Sequence, residues 1–192
     1  MNTIPNMLTL LRALLIPPIV LCILWQPPRF LALTLAMLWI ACITDILDGH
    51  IARAYNQATE FGAVSDALTE KIMMYSAMFA LFGLGSYWPA VLLPMFIRDM
   101  FTDGLRSYCA SKGEVVKAFA WGKAKFGLQF ASLNAVILAF RLPEPWAFRF
   151  NALGNILLAA ALAVALFGTI PVLHAFTRVS RTQSGRNTKE NS

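Results

Sequence analysis

Four carboxylates lie within one short stretch of an otherwise apolar chain. Asp45 and Asp48 are three residues apart, and Asp66 and Glu70 are four residues apart. On a helix, each of these spacings places the two side chains on one face. A polar turn at residues 56–59 separates the two pairs, which predicts two antiparallel helices whose acidic faces can meet. The stretch therefore predicts a cluster of carboxylates on two neighbouring helices.

Such a cluster requires a cation, because carboxylates in a setting of low dielectric constant repel one another strongly. Ligands that are all oxygen atoms favour Mg²⁺ or Mn²⁺. The alternative interpretation is ordinary interfacial charge at two helix ends. The metal site is the preferred interpretation, because acidic residues inside membrane spans are costly and are functional by default.

A second set of charged residues, all cationic, follows further along the chain and could hold a phosphate monoester. Its members are Arg98, Arg106, Lys123 and Lys125. The alternative for each is positive charge that only contacts lipid headgroups. Asp99 and Asp103 are expected to pair with these cations and not to bind metal. Together the two sets suit phosphoryl transfer between a lipid diphosphate and a phosphorylated acceptor, although the residues alone do not specify the leaving group.

The composition indicates an integral membrane protein. Of the 192 residues, 58% are hydrophobic and only 14% are charged, which is too apolar for a soluble domain of this length. The formal net charge of +6 is typical of attraction to anionic lipid and of a fixed membrane orientation, and it predicts no nucleic-acid partner. Membrane lipids are therefore the expected surroundings of this chain.

An all-α bundle of six transmembrane helices is predicted from the apolar segments, most of which reach the ~20 residues that a bilayer requires. The segments are residues 14–25, 30–53, 61–84, 88–108, 119–140 and 146–176. An N-terminal interfacial amphipathic helix is predicted before the first span, with Thr3 as its cap and Pro5 in its first turn. Residues 1–177 are expected to form a single membrane domain, and residues 178–192 a basic, disordered cytoplasmic tail.

The distribution of positive charge predicts the orientation of the spans. Of the 16 lysine and arginine residues, only Arg29, Arg141 and Arg149 fall on the side opposite the acidic stretch. The positive-inside rule then places the acidic stretch and both termini in the cytoplasm. We therefore expect a multi-pass protein whose active site opens to the cytoplasm.

The acidic stretch resembles the signature of the CDP-alcohol phosphotransferase family, Asp-x2-Asp-Gly-x2-Ala-Arg followed by Gly-x3-Asp-x3-Asp. In this chain the pattern is formed by Asp45, Asp48, Gly49, Ala52, Arg53, Gly62, Asp66 and Glu70. The opening IPNMLTLLRALLIPP and the segments RDMFTDGLRSYCASKG and WGKAKFGLQ are similar to the bacterial phosphatidylglycerophosphate synthases of that family. This resemblance implies a six-helix protein of the bacterial inner (cytoplasmic) membrane that joins CDP-diacylglycerol to glycerol 3-phosphate and releases CMP.

The resemblance also implies a role for each matching residue. Asp45, Asp48 and Asp66 would hold one or two Mg²⁺ or Mn²⁺ ions on the CDP diphosphate. Glu70, the second catalytic carboxylate beside Asp66, would share the second ion and accept the proton of the acceptor hydroxyl. The CDP pocket would be formed by Asn6, Thr9, Asp48, Gly49, Ala52, Arg53 and Gly62. The acceptor phosphate would be bound by Arg98, Arg106, Lys123 and Lys125, and a homodimer is implied as well.

Three positions depart from the family pattern. Glu70 stands where the family has Asp, Ala67 replaces the usual Pro, and Asp99 replaces a Glu that is common in these synthases. Glutamate is one methylene longer than aspartate, and a misplacement of about 1 Å can lower a rate on the order of 10²-fold. The alternatives are therefore the same chemistry with a different acceptor, or a catalytically silent member that binds nucleotide lipid or acts as a scaffold. A transporter would rest on the buried acids alone, and no internal repeat supports it.

Overall fold

The computed structural model describes the backbone of residues 4–25, 28–54, 60–114 and 120–190, and the side chains of residues 10–25, 30–44, 68–114 and 121–181. In these ranges the chain forms six helices and no strand, so the predicted all-α fold class is confirmed there. The helices are α1 (Ile4–Trp25), α2 (Pro28–Ala54), α3 (Glu60–Gly83), α4 (Pro89–Ser111), α5 (Ala120–Ala139) and α6 (Trp146–Glu190).

The first helix joins two predicted elements. A short surface helix leading into the first span was expected, and α1 runs without interruption from residue 4 to residue 25. The segment between the two predicted parts, residues 9–14, reads TLLRAL and contains neither glycine nor proline. Because nothing in this segment stops helix propagation, the two predicted elements form one helix.

Two compact units can be distinguished by their internal contacts, and the first comprises Met1–Trp88 with Ser132–Asn155. In this unit α1 packs against both α2 and α3. Large apolar side chains fill its core, among them Ile19, Leu38, Met78 and Ile137. Removing such side chains from their surroundings supplies most of the favourable free energy of packing. The core of this unit therefore sets how α2 and α3, the helices of the acidic stretch, are held.

A polar contact joins α2 to α5 on the outside of this unit. The indole N–H of Trp39 donates to Oδ1 of Asn134 over 3.0 Å. Trp39 is 52% exposed, and its neighbours Ile40 and Ile43 are also exposed apolar residues. A polar group among apolar side chains gains from a partner within the protein, because its surroundings offer none. The hydrogen bond satisfies the indole N–H of Trp39 and links the two helices.

Buried uncharged groups also fix the α3–α4 turn of this unit to α5 and α6. The Ser132 hydroxyl donates to the Gly154 carbonyl over 2.6 Å and lies 3.0 Å from the Tyr87 hydroxyl. Since the serine proton is already used, Tyr87 must be the donor to Ser132. Asn155 accepts from the Trp88 N–H over 2.8 Å and donates to the Ser86 carbonyl over 2.9 Å. We call Tyr87, Ser132 and Asn155, with the backbone groups they bind, the neutral network.

Close packing of α5 on α6 accompanies this network. A Cβ atom placed on Gly154 would collide with Cγ2 of Val136 and would lie 3.0 Å from the Ser132 carbonyl oxygen. Real Cβ atoms avoid such distances, so the two helices approach closely only because residue 154 has no side chain. Small residues at a helix crossing are a common means of close approach between membrane helices.

The second unit comprises Pro89–Ala131 with Ile156–Ser192. Its core contains Leu92 and Met95 of α4 together with Leu158, Ala161 and Val172 of α6, all fully buried. A buried charged side chain, Asp99 of α4, also lies in this unit and is 2% exposed. Burial of a charge is unfavourable unless it is paired, so the contacts of Asp99 decide how α4 is held in this unit.

One segment among the described residues is long and apolar enough to cross a membrane, namely Trp146–Arg181 of α6. Two shorter apolar helical segments, Leu10–Trp25 and Phe30–Thr44, fall below the usual length. The other predicted spans stay predictions, as does the single membrane domain over residues 1–177.

The end of α6 differs from the predicted disordered tail. The helix continues to Glu190, so the backbone of residues 178–190 is helical. This segment is polar and contains Gly185, which disfavours a helix by about 1 kcal/mol, but it contains no proline, and its arginine, glutamine, lysine and glutamate residues propagate a helix well. An existing helix lengthens without a new nucleation step, which explains why the polar composition does not end it at residue 177.

Candidate active site

The two acidic pairs lie on helical backbone, as predicted. Asp45 and Asp48 occupy the last three turns of α2, and Asp66 and Glu70 occupy the first three turns of α3. The helical premise behind their shared faces is therefore confirmed. The side chains of residues 45–67 lie outside the described side chains. The meeting of the two acidic faces therefore stays a prediction. The same holds for the predicted CDP-binding residues Asn6, Thr9, Gly49, Ala52, Arg53 and Gly62.

Glu70 is the one predicted acidic ligand whose side chain the structure describes, and it is half-buried. Met73 and Met74, which follow it on α3, are fully buried. Glu70 therefore stands where α3 passes from a polar segment into the core of the first unit. A carboxylate at such a boundary can reach a polar ligand while part of its surroundings stays apolar.

The metal prediction can be compared with the donor chemistry. Among the side chains that the structure describes, no three histidine, cysteine, aspartate or glutamate residues form a cluster. Three of the four predicted ligands lie outside that range, so this observation leaves the predicted site untested. The donor set itself consists only of carboxylates from two helices, and such a set fits Mg²⁺ or Mn²⁺ better than a thiophilic metal.

The cationic residues divide into two kinds in the second unit. Arg98 on α4 uses all of its side-chain nitrogens within the protein. Its Nε donates to Oγ1 of Thr169 over 2.8 Å, its Nη1 donates to Oδ1 of Asp99 over 2.7 Å, and its Nη2 donates to the carbonyl of Ala165. Two of these partners lie on α6. Arg98 is therefore anchored to α6, and its predicted role as a phosphate ligand stays a prediction.

Asp99 binds a second cation as well. Its Oδ2 accepts from Nζ of Lys125 on α5 over 2.6 Å. The Asp99 side chain is 2% exposed, whereas those of Arg98 and Lys125 are 13% and 14% exposed. We call these three residues the charged cluster. The prediction that Asp99 pairs with the cations is confirmed, and the cluster carries one net positive charge.

Arg106 and Lys123 differ from the charged cluster. Lys123 is exposed, and Arg106 is half-buried. The Nε of Arg106 is buried and has no hydrogen-bond partner within the part of the chain that the structure describes. A buried donor of this kind is costly until it is satisfied, so it is a suitable position for an anionic ligand.

Sequence reasoning missed the α6 residues that support the charged cluster. Thr169 is 8% exposed and lies 71 residues from Arg98, so no local spacing connects them. The available signal was a threonine within the apolar run of residues 155–173, where a polar side chain needs a partner. Asn155 gives the same signal for the neutral network.

A cavity of about 310 Å³ lies in the first unit at the end of α3 opposite to Glu70. The α3–α4 turn and the α5–α6 turn line it, with Ser86, Phe140, Phe148 and Asn151 among its residues. Glu144 is the single ionisable side chain of this lining. Because it offers no cation, the cavity is unsuited to a diphosphate, and it does not coincide with the predicted site.

The family comparison covers both sets of charged residues. The sequence model of the CDP-alcohol phosphatidyltransferase family matches residues 2–167. That range contains the acidic stretch of α2 and α3 and the four cations of α4 and α5. One family pattern therefore accounts for most of the chain.

Three bacterial relatives are named CDP-diacylglycerol–glycerol-3-phosphate 3-phosphatidyltransferase. The protein of Cereibacter sphaeroides is 32% identical over 142 residues, covering 71% of this chain and 63% of that protein. The protein of Haemophilus influenzae is 32% identical over 140 residues, covering 70% of this chain and 75% of that protein. The protein of Rickettsia bellii is 30% identical over 137 residues, covering 71% of this chain and 76% of that protein.

The extent of these matches decides what they show. The aligned part spans somewhat less than two thirds of the Cereibacter sphaeroides protein and about three quarters of the other two. The family pattern itself extends from residue 2 to residue 167 of the 192 residues. The resemblance found in the acidic signature is thereby confirmed, and this chain belongs to the CDP-alcohol phosphatidyltransferase family.

Proposed function

We propose that this protein transfers the phosphatidyl group from CDP-diacylglycerol to glycerol 3-phosphate, giving phosphatidylglycerol phosphate and CMP. The observation that carries the proposal is the family match over residues 2–167, together with relatives that are named for this reaction. The cationic residues of α4 and α5 support a phosphorylated acceptor over an uncharged one, because arginine and lysine side chains bind phosphate through charge-assisted hydrogen bonds.

In this proposal the acidic residues of α2 and α3 hold one or two divalent cations. Asp45, Asp48, Asp66 and Glu70 provide the all-oxygen donor set that Mg²⁺ or Mn²⁺ prefers. When bound, such an ion would neutralise charge on the diphosphate and on its departing CMP. Asn6, Thr9, Gly49, Ala52, Arg53 and Gly62 are proposed to shape the nucleotide pocket.

Glu70 is the proposed general base. It would accept the proton of the glycerol 3-phosphate hydroxyl, whose oxygen forms the new bond to the phosphorus that carries diacylglycerol. The bond from that phosphorus to the CMP oxygen breaks, and CMP leaves. The half-buried position of Glu70 on α3 supports its assignment as the base, because a side chain there can reach a polar substrate from a partly shielded site.

A lipid substrate places the proposed reaction at a membrane. We propose six spans, with the acidic stretch and both termini in the cytoplasm of a bacterium and with a homodimer as the assembled form. The apolar composition and the span candidate Trp146–Arg181 support membrane insertion. Cysteine labelling from either side of sealed inner-membrane vesicles measures this topology directly. Cysteines introduced at Lys112 and Thr188 should react only from the cytoplasmic side.

The test of function is CMP release by the purified protein in detergent with Mg²⁺ or Mn²⁺, CDP-diacylglycerol and glycerol 3-phosphate. We expect release with glycerol 3-phosphate and much less with serine, inositol or inositol phosphate. Asp45→Asn is the matched variant, since it keeps size and loses one proposed metal ligand, and it should abolish release. No release with glycerol 3-phosphate would refute the proposal, and release with another acceptor only would change the assigned substrate.

A further inference from the structure

The charged cluster of the second unit forms a continuous chain of contacts that ends in a lysine. Thr169 and the Ala165 carbonyl on α6 hold Arg98, Arg98 holds Asp99, and Asp99 holds Nζ of Lys125 on α5. Each side-chain nitrogen of Arg98 donates one N–H to the protein, so three contacts fix its guanidinium. Lys125 donates one N–H to Asp99 from the end of a flexible side chain. The two cations therefore differ in how firmly they are held, and the position of the Lys125 amino group depends on Asp99.

We propose that Asp99 is a positioning residue for the acceptor: it fixes the amino group of Lys125, which binds the acceptor phosphate, while Arg98 anchors Asp99 to α6. This inference rests on the proposed function, because it names the acceptor as a phosphate monoester. It assigns Asp99 no contact with substrate or with the reacting atoms.

The physical reason lies in the flexibility of lysine. A lysine side chain has many rotamers and presents its charge as a point, so its position is poorly defined without a fixed partner. Asp99 is 2% exposed and bound from two sides, which makes it a rigid partner. A lysine that is already held in place loses less side-chain conformational entropy when it binds a phosphate. The carboxylate thus improves phosphate binding although its own charge repels phosphate.

This opposition gives a test that separates positioning from charge. If only the net charge of the cluster mattered, Asp99→Asn would add one positive charge and lower the KM for glycerol 3-phosphate. If Asp99 positions Lys125, the same variant should raise that KM by up to roughly tenfold, which is the ordering cost of one rotamer-rich side chain. The KM for CDP-diacylglycerol should stay unchanged, which a general loss of structure would not produce.

A double-mutant cycle then asks whether Asp99 acts through Lys125. Lys125→Gln removes the proposed ligand and should raise the KM for glycerol 3-phosphate more than Asp99→Asn does. In the Lys125→Gln background, Asp99→Asn should add nothing further. Effects that multiply, or a lowered KM in Asp99→Asn, would overturn the proposal.

Two further variants cover the case in which Asp99→Asn fails to fold. Thr169→Val removes only the hydroxyl that accepts from Arg98 and should raise the KM for glycerol 3-phosphate by a few fold. Asp99→Glu keeps the charge and should give a KM between those of the parent and Asp99→Asn. An unchanged KM in Thr169→Val together with a normal KM in Asp99→Glu would contradict the proposal.

The matched control is Glu114→Gln in the same unit. Glu114 is half-buried and lies 4.0 Å from the exposed Arg178, and little effect is expected from so long and partly solvated a pair. All variants are also titrated calorimetrically with glycerol 3-phosphate in detergent, and the dissociation constants should follow the same order. Without CMP release by the parent, the proposed function fails while the binding cycle still decides on Asp99. If the parent does not bind glycerol 3-phosphate, both proposals fail.

Discussion

The neutral network of the first unit and the charged cluster of the second both consist of buried polar groups, but they differ in whether all of their donors are used within the protein. In the neutral network the hydroxyl protons of Tyr87 and Ser132 and the amide of Asn155 all end on acceptors within the protein. The charged cluster has two cations for one carboxylate, and Lys125 retains N–H donors. A closed set of hydrogen bonds stabilises the fold, whereas a set with surplus charge can also bind a ligand.

This difference predicts that variants separate into two classes. Changes in the neutral network should lower stability and leave the turnover of the folded protein unchanged. Changes in groups that meet substrate should lower activity and leave the thermal midpoint unchanged. The variants below test that separation, and any of them that moves both quantities would weaken it.

The largest effect is expected for Glu70→Gln. Loss of a general base typically lowers kcat on the order of 10²–10⁴-fold, and glutamine keeps the size of the side chain. The thermal midpoint in detergent should stay the same. CMP release and thermal unfolding, measured on the same preparation, check both statements, and a parallel fall in midpoint would identify Glu70 as a structural residue.

Glu70→Asp is the companion to that variant. It restores the residue that the family signature has at this position and shortens the side chain by one methylene. An active parent should lose activity or change little in Glu70→Asp, because its surroundings fit glutamate. If the variant gains activity that the parent lacks, the natural protein is a silent member of the family.

Asn155→Leu should give the largest loss of stability. Asn155 is fully buried, and leucine would leave the Ser86 carbonyl and the Trp88 N–H without their partner. Each buried polar group left unsatisfied costs about 1–3 kcal/mol. Asn151→Ala is the control, because Asn151 only accepts from Asn155, which keeps the Ser86 carbonyl as acceptor. Thermal unfolding should show a clearly smaller change for Asn151→Ala.

Gly154→Ala tests the close approach of α5 and α6. The added methyl group would collide with Val136, and overpacking of this kind costs about 1–3 kcal/mol. Gly127→Ala on α5 is the matched control, since a Cβ there meets nothing within 4 Å. Because alanine favours a helix over glycine by about 1 kcal/mol, the control should be neutral or stabilised. Equal midpoints for the two variants would contradict the packing at residue 154.

The smallest effect is expected for Tyr87→Phe, which removes one donor and leaves Ser132 bound to Gly154. A loss of about 1 kcal/mol is typical of one hydrogen bond. Burial raises the pKa of Tyr87 above its ordinary value, so the hydroxyl stays protonated in the folded protein. Its contribution is complete below the pKa of the unfolded chain, near ~10, and is lost as the pH rises above it. The stability difference between parent and Tyr87→Phe should therefore shrink at alkaline pH.

Much of the fold could be predicted from apolar runs and breakers. The third and fourth segments were predicted at residues 61–84 and 88–108, and α3 and α4 span Glu60–Gly83 and Pro89–Ser111. Glycine and serine at residues 83–86 mark the turn between them. Helix continuity was harder to predict: α1 continues through the amphipathic residues 4–14 and α6 through the polar residues 178–190, because a helix that already exists propagates.

The candidate site likewise has features that the sequence predicted and features that it did not. Spacing alone placed the acidic pairs on helices and paired Asp99 with cations, since both depend on local sequence and on charge. Nothing local indicated that Arg98 is bound by Thr169 and Ala165, because these contacts bridge 71 and 67 residues of chain. Sequence reasoning grouped four cations as equal ligands, and only the packing of α4, α5 and α6 in the second unit distinguishes them.

The hydrogen bond between Trp39 and Asn134 gives α2 an optical label of its own. Trp39 lies six residues before Asp45 on the same helix, and its indole is tied to α5 within the first unit. In a protein whose other four tryptophans are changed to phenylalanine, its emission would report on whether α2 keeps that tie. Addition of CDP-diacylglycerol or of Mg²⁺ would then show, by fluorescence alone, whether binding at the acidic end of α2 loosens its attachment to α5.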